Sequence, residues 1–300
     1  MKKKYIIGLG CSWTQGEGGY PEHIWQQYNG RVQLRGVDDH HLRKYEHENS
    51  WVNVLCRDHF TDYIPVNLGV RGIGNIGAVN QLHFCDVIDW NTASGIIILM
   101  WSGFERYDVV QQNPLAFHPI QEDYYSNGDY KHYKWRTAWP FADVNPIENE
   151  WWTVYAKKLW SEEFVAVSQM LALLNLQSFA KANNFKVVIA NGWNDPHDVD
   201  TQQRYSPIEY LKKYTRTLFD KFDWTGYVHN STDYMCFMQK LVWEDKQLDP
   251  ELWNFWYNHY SKLSWPSKYL TNCQGAHPTI DGYKIIGDEI AKFIRYISYA

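Results

Sequence analysis

The sequence predicts an α/β protein, a three-layer α/β/α arrangement around a mostly parallel sheet of about five strands. Two observations carry this expectation. Four short apolar runs, at residues 5–9, 63–68, 95–100 and 186–190, are continuous rather than alternating, as strands covered on both faces are. Helical patterns lie between them, so strand and helix alternate along the chain, which is the signature of parallel pairing.

The first run follows Lys2-Lys3-Lys4 and imitates a signal peptide, and Leu9-Gly10-Cys11 imitates a lipoprotein cleavage site. Its apolar stretch of about six residues is shorter than the roughly 7–15 of a signal core, so it reads as the first strand. A helix is expected over 51–60 and a second over 76–90. A third, over 162–183, has Ser161 as its N-cap and Phe164, Val167, Leu171 and Leu174 as its inward stripe. The final helix presents Ile286, Ile290, Phe293 and Ile297 at helical spacing, with Thr279 as its cap. Segments of about 107–160 and 225–270 lack periodicity and read as aromatic-rich insertions within a single domain, 1–300.

Composition narrows the function classes. A chain of 300 residues with 45% hydrophobic content builds a full core. A net charge of −5 without a long basic run disfavours nucleic acid, and no apolar run spans a membrane. Five scattered cysteines without a C-x-x-C pair indicate neither a zinc ribbon nor a disulfide framework, so a reducing, cytoplasmic setting is expected. Aromatic residues make up 17% of the chain, with Trp135, Trp139, Trp151 and Trp152 in one insertion and Trp253, Trp256 and Tyr257 in the other. Rings among polar groups suit stacking on sugars, and equally suit covering a core beneath long loops.

Three segments carry chemistry. Gly10-Cys11-Ser12-Trp13-Thr14-Gln15-Gly16 places Ser12 where a strand gives way to a turn, with its hydroxyl and its own N–H facing one space. Asn67-Leu68-Gly69-Val70-Arg71-Gly72 follows the second strand, where glycine lets backbone N–H groups approach a ligand. Overlapping it, Gly72-Ile73-Gly74-Asn75-Ile76-Gly77 is a formal G-x-G-x-x-G, which makes dinucleotide binding a competing reading. That reading lacks the first-strand position and the acid at a following strand end, since Asp86 and Asp89 fall in a helical pattern. His277, followed by Pro278, sits in a loop ahead of the last helix. A hydroxyl becomes a nucleophile when a base takes its proton and donors receive the oxyanion, so these segments together point to acyl transfer.

In that order the segments resemble the SGNH hydrolases, or GDSL-like esterases and lipases. Gly10-Cys11-Ser12 is similar to that family's Gly-Asp-Ser block, Asn67-x-Gly69-x-x-Gly72 to its second block, and Gly275-Ala276-His277-Pro278 to its last. The resemblance implies Ser12 as nucleophile, His277 as base, and the N–H groups of Ser12 and Gly72 in the oxyanion hole, with no metal or cofactor. The chain departs from the pattern at Cys11, in place of the first-block aspartate, and at Gln274, in place of the acid ahead of the histidine. After the third strand it reads Trp101-Ser102-Gly103-Phe104-Glu105-Arg106 without the third-block asparagine, leaving Ser102, Arg106 or, after the fourth strand, Asn194 as side-chain donors. The expected activity is hydrolysis of a carboxylic ester on a small molecule or glycan, with O-deacetylation of a sugar preferred. The competing class is a silent protein of the same fold that binds such a ligand. Asp38-Asp39-His40-His41 and His47 are read as a solvated loop rather than a metal site.

Overall fold

The computed structural model of the chain describes residues 3–27, 40–70, 73–102, 104, 107–110, 135–138, 161–192, 206–228, 236–246, 268–270 and 277–299. Its centre is a four-stranded, all-parallel sheet made by β1 (Lys3–Leu9), β2 (Ile64–Asn67), β3 (Ala93–Trp101) and β6 (Phe185–Asn191), in the order β2-β1-β3-β6. The strands are the four apolar runs, three of them extended by up to two residues at an end and β2 one residue shorter at each end. Register follows from burial: Ile6 and Ile7 of β1 lie opposite Ile96 and Ile97 of β3, which lie opposite Lys186 and Val187 of β6. Ile6, Ile7, Leu9 and residues 97–99 are essentially inaccessible, so the lysine-led N-terminal run is a central strand of the core.

Because β2 and β3 lie on opposite sides of β1, the chain reverses direction across the sheet at β1, the place beyond the carboxyl ends of the strands where such sheets bind ligands. Ser12 follows β1 at that place.

Helices cover the sheet. After α1 (Ser12–Gln15), α2 (Glu22–Gln27) and α3 (His40–Asn49) comes α4 (Trp51–Asp58), which packs on β1, on β2 and on the final helix, α9 (Ile280–Tyr299). Trp51, Val52, Val54 and Leu55 are its buried face. Helix α5 (Asn75–Asn80) and the long α6 (Glu162–Ala182) pack together, and α6 also lies on β6 and on α7 (Pro207–Phe219). Ser161 caps α6 by accepting from the Phe164 N–H at 3.0 Å. In α9, Ile286 and Ile290 are fully buried and Phe293 and Ile297 flank them.

Two expectations are corrected. The helix expected over 76–90 is a short α5 followed by a 3-10 turn, Gln81–Phe84. Beyond it Cys85 and Ile88 are buried within a loop that Asp89 shapes by accepting from the Asn91 N–H and the Thr92 hydroxyl. The inward face of α6 is offset from the expected stripe: Val165, Ala166, Met170, Leu173 and Leu176 are buried, whereas Leu171 is 54% exposed. That helix is apolar over most of its circumference, and its Ala166, Ala172 and Ala180 fall on the buried face. Of the roughly five strands expected, the described residues show four in the sheet; beside β6, Tyr227 makes one parallel bridge to Ile189, and the Val228 N–H donates to the Ile189 carbonyl at 2.8 Å. The 3-10 turn Trp224–Gly226 immediately before it coils the chain instead of extending it.

Within the first expected insertion, β4 (Tyr107–Val110) and β5 (Trp135–Ala138) form an antiparallel pair, and β4 contacts α5. Within the second, α8 (Phe237–Lys246) is tied to the end of β6 by the Met238 N–H, which donates to the Gly192 carbonyl at 3.2 Å. The other tryptophans singled out in these segments lie outside the described residues. Among the described residues no helix is long and apolar enough to cross a membrane.

Candidate active site

Ser12 is presented by a single turn, α1, on a backbone tied down at both ends. The Cys11 carbonyl accepts from the N–H groups of Thr14 and Gln15 at 2.9 and 3.0 Å, so Cys11 supports the turn through its backbone while its side chain is buried. Thr14 donates its hydroxyl to the Leu9 carbonyl at 3.2 Å. Ser12 is the first residue of the turn, so its N–H has no carbonyl within the turn to serve.

The turn ends at Gly16, whose φ of 105° lies in the left-handed region and whose N–H returns to the Ser12 carbonyl. A Cβ there would sit 1.9 Å from the Glu46 carbonyl oxygen, so glycine is required twice over. The side chain of Asn67, at the end of β2, locks the turn by donating to the Thr14 carbonyl at 2.7 Å and accepting from the Gly69 N–H at 3.0 Å. Gly69 lies against this turn so closely that a Cβ would approach the Gln15 nitrogen to 2.3 Å. The two segments singled out in sequence are thus one interlocked unit.

His277 arrives from the other end of the chain. Pro278 bridges in antiparallel fashion to Leu270, and Thr279 donates its N–H to the Tyr269 carbonyl at 2.9 Å and its hydroxyl to the Lys268 carbonyl at 2.6 Å. Thr279 also caps α9, its Oγ1 accepting from the Gly282 N–H at 3.2 Å. The outcome is a contact across 265 positions: His277 Nε2 lies 2.8 Å from Ser12 Oγ. Both residues are 7% exposed.

A carboxylate joins them that sequence reasoning missed. Glu17 Oε2 is 3.3 Å from His277 Nε2, and Glu17 is 8% exposed. The sequence search looked for an acid ahead of the histidine, as the family pattern dictates. The available signal was an acid between Gly16 and Gly18, just beyond the turn that carries Ser12.

Of the other candidate residues, Ser102 is buried at the end of β3, where its N–H and hydroxyl lie 2.9 and 3.2 Å from Asn75 Oδ1, with the Ile73 carbonyl 3.4 Å from the hydroxyl. Asn75 in turn donates to Gln169 Oε1 at 3.1 Å. Both donors of Ser102 are therefore engaged in bracing α5 against β3. Gly72, Arg106, Asn194 and Gln274 lie outside the described residues. So do Asp38 and Asp39, while residues 40–49, expected as loop, form α3. Among the described residues no group of three metal-ligating side chains converges.

A comparison with protein-family models finds no match. A comparison with curated proteins likewise finds no match in sequence.

Proposed function

We propose that the protein is a serine hydrolase of the SGNH type, with its three-layer α/β/α architecture, that cleaves a carboxylic ester. The observation that carries this reading is the 2.8 Å approach of His277 Nε2 to Ser12 Oγ, beyond the end of the central strand at the reversal of strand order. A serine that merely caps a turn needs no imidazole at its hydroxyl, and a solvated loop histidine is not buried.

In the proposed mechanism Ser12 Oγ attacks the acyl carbon while Nε2 takes the hydroxyl proton, and the carbonyl electron pair moves onto oxygen. The N–H of Ser12, with that of Gly72, receives the oxyanion. Collapse expels the alkoxide, which takes the proton back from Nε2 and leaves an acyl-enzyme. Water, deprotonated by the same nitrogen, releases the acid and restores Ser12. No metal or cofactor enters the sequence of steps. Substrate class rests on the aromatic content of the two insertions, which favours an O-acylated sugar over a long-chain lipid.

One observation favours the silent binding protein: Ser102 has both donors engaged, so β3 contributes no donor from that residue to an oxyanion. The dinucleotide reading requires Ser12 and His277 apart, contrary to their hydrogen-bond distance.

Hydrolysis of p-nitrophenyl acetate and of O-acetylated sugars by the wild-type protein, Ser12→Ala and His277→Ala separates the readings. The hydrolase reading expects turnover that falls by about a thousandfold or more in each variant. Turnover that survives both substitutions contradicts it, and saturable sugar binding without turnover favours the binding protein.

A further inference from the structure

We propose that Glu17 is the acidic partner of His277, supplying from the nucleophile loop the negative charge that Gln274 cannot supply. The proposal rests on the hydrolase reading above and deepens it. It stands on the 3.3 Å approach of the carboxylate to the ring and on how tightly the backbone that carries it is held. The Glu17 N–H donates to the Ser12 carbonyl at 3.1 Å, so acid and nucleophile share one backbone hydrogen bond. The Glu17 carbonyl accepts from the Tyr283 hydroxyl at 2.7 Å, and Tyr283 lies in the first turns of α9, the helix that follows His277. The Glu17 backbone is thereby tied to Ser12 and to the helix that follows His277. The rest of the loop is equally constrained: Asn49 donates to the Gly19 carbonyl at 2.9 Å, and the Tyr20 hydroxyl donates to Glu46.

The contact has a definite direction. Glu17 faces Nε2, the nitrogen that also meets Ser12, whereas the acid of a serine-protease triad serves Nδ1. For Ser12 to be activated, Nε2 must accept from the Ser12 hydroxyl, which puts the ring hydrogen on Nδ1. As the Oγ–H bond breaks and the Nε2–H bond forms, a positive charge appears on the ring 3.3 Å from Glu17 Oε2. An opposite charge at that distance, in a buried site, favours the protonated ring. Glu17 therefore acts as a positioning and charge-stabilising residue through His277, without touching the ester. The next carboxylate, Glu46 of α3, is engaged by the Gln15 amide at 2.9 Å and by Tyr20, and serves to hold the loop. Ser12 and Glu17 both meet the ring at Nε2.

Glu17→Gln keeps the shape and removes the charge. Titration of the His277 ring by NMR, its resonance assigned by loss in His277→Asn, should show a midpoint lower by about one pH unit or more in Glu17→Gln. Phosphonylation of Ser12 by a fluorophosphonate should slow by about ten- to a thousandfold at neutral pH, and Glu17→Asp should recover part of the rate. An unmoved titration overturns the proposal whatever Ser12 does, because it shows that the charge does not reach the ring. A moved titration with wild-type-like phosphonylation overturns it too, since the charge then has no bearing on the nucleophile. Failure of the wild-type protein to label at Ser12 overturns the hydrolase reading itself, and the role of the pair with it, even where the ring titrates as expected.

Discussion

At the scale of the residue, the site depends on positions with little latitude. Gly16 closes the Ser12 turn with a positive φ and leaves 1.9 Å between a Cβ and the Glu46 carbonyl oxygen, so Gly16→Ala must displace α3 or open the turn. We expect it to lower stability by about 2–4 kcal/mol and to reduce any Ser12-dependent turnover, as read by urea denaturation and ester hydrolysis. Thiols show the same tightness from another side. Burial pushes the Cys56 thiol up to about 12 and the Cys85 thiol up to about 11, from an ordinary 9.0. At pH 8 only about one Cys56 in ten thousand is then a thiolate, so iodoacetamide should leave both unmodified in the folded protein and reach them in urea. Linkage gives the direction with pH. The unfolded chain ionises Cys56 near 9 and the folded one near 12, so its contribution is complete below about 9 and is lost as pH rises toward 12. The fall in the urea midpoint between pH 8 and 10.5 should therefore be smaller in Cys56→Ala than in the wild type; equal falls would contradict the burial argument.

At the scale of the element, strands were more legible than helices. Continuous apolar runs bounded by turn residues can pair in few ways, and all four proved to be strands of one sheet. Helical faces were harder where apolar residues surround the axis. In α6 the sequence pointed to Leu171 as core, yet Leu173 is 1% exposed and Leu171 54%. Leu173→Ala should cost about 2–5 kcal/mol by thermal denaturation and Leu171→Ala well under 1. Comparable losses would return the inward stripe to its expected place. The segment 76–90 failed as a helix because Asn80 and Asp89 offer the backbone turn-forming partners that an apolar count ignores, and the structure uses those of Asp89.

At the scale of the whole molecule, Ser12 and His277 were legible as separate signals, but their meeting was not, since it depends on the strand order and on the Leu270–Pro278 bridge. Glu17 was invisible for the same reason. Nothing in Gly16-Glu17-Gly18 says that the loop turns back toward a histidine 260 positions later; that follows from the Tyr283 hydroxyl on α9 holding the Glu17 carbonyl. The end of β1, where the strand order reverses, thus brings together Ser12 from the turn after that strand, His277 from the entrance to α9, and Glu17. The most direct measurement of this account is the site and stoichiometry of labelling by a fluorophosphonate, read by intact mass and peptide mapping. We predict one adduct per chain on Ser12, abolished in Ser12→Ala and strongly slowed in His277→Ala. No adduct on Ser12, or one formed as fast without His277, would contradict the claim that these two residues form a reactive pair.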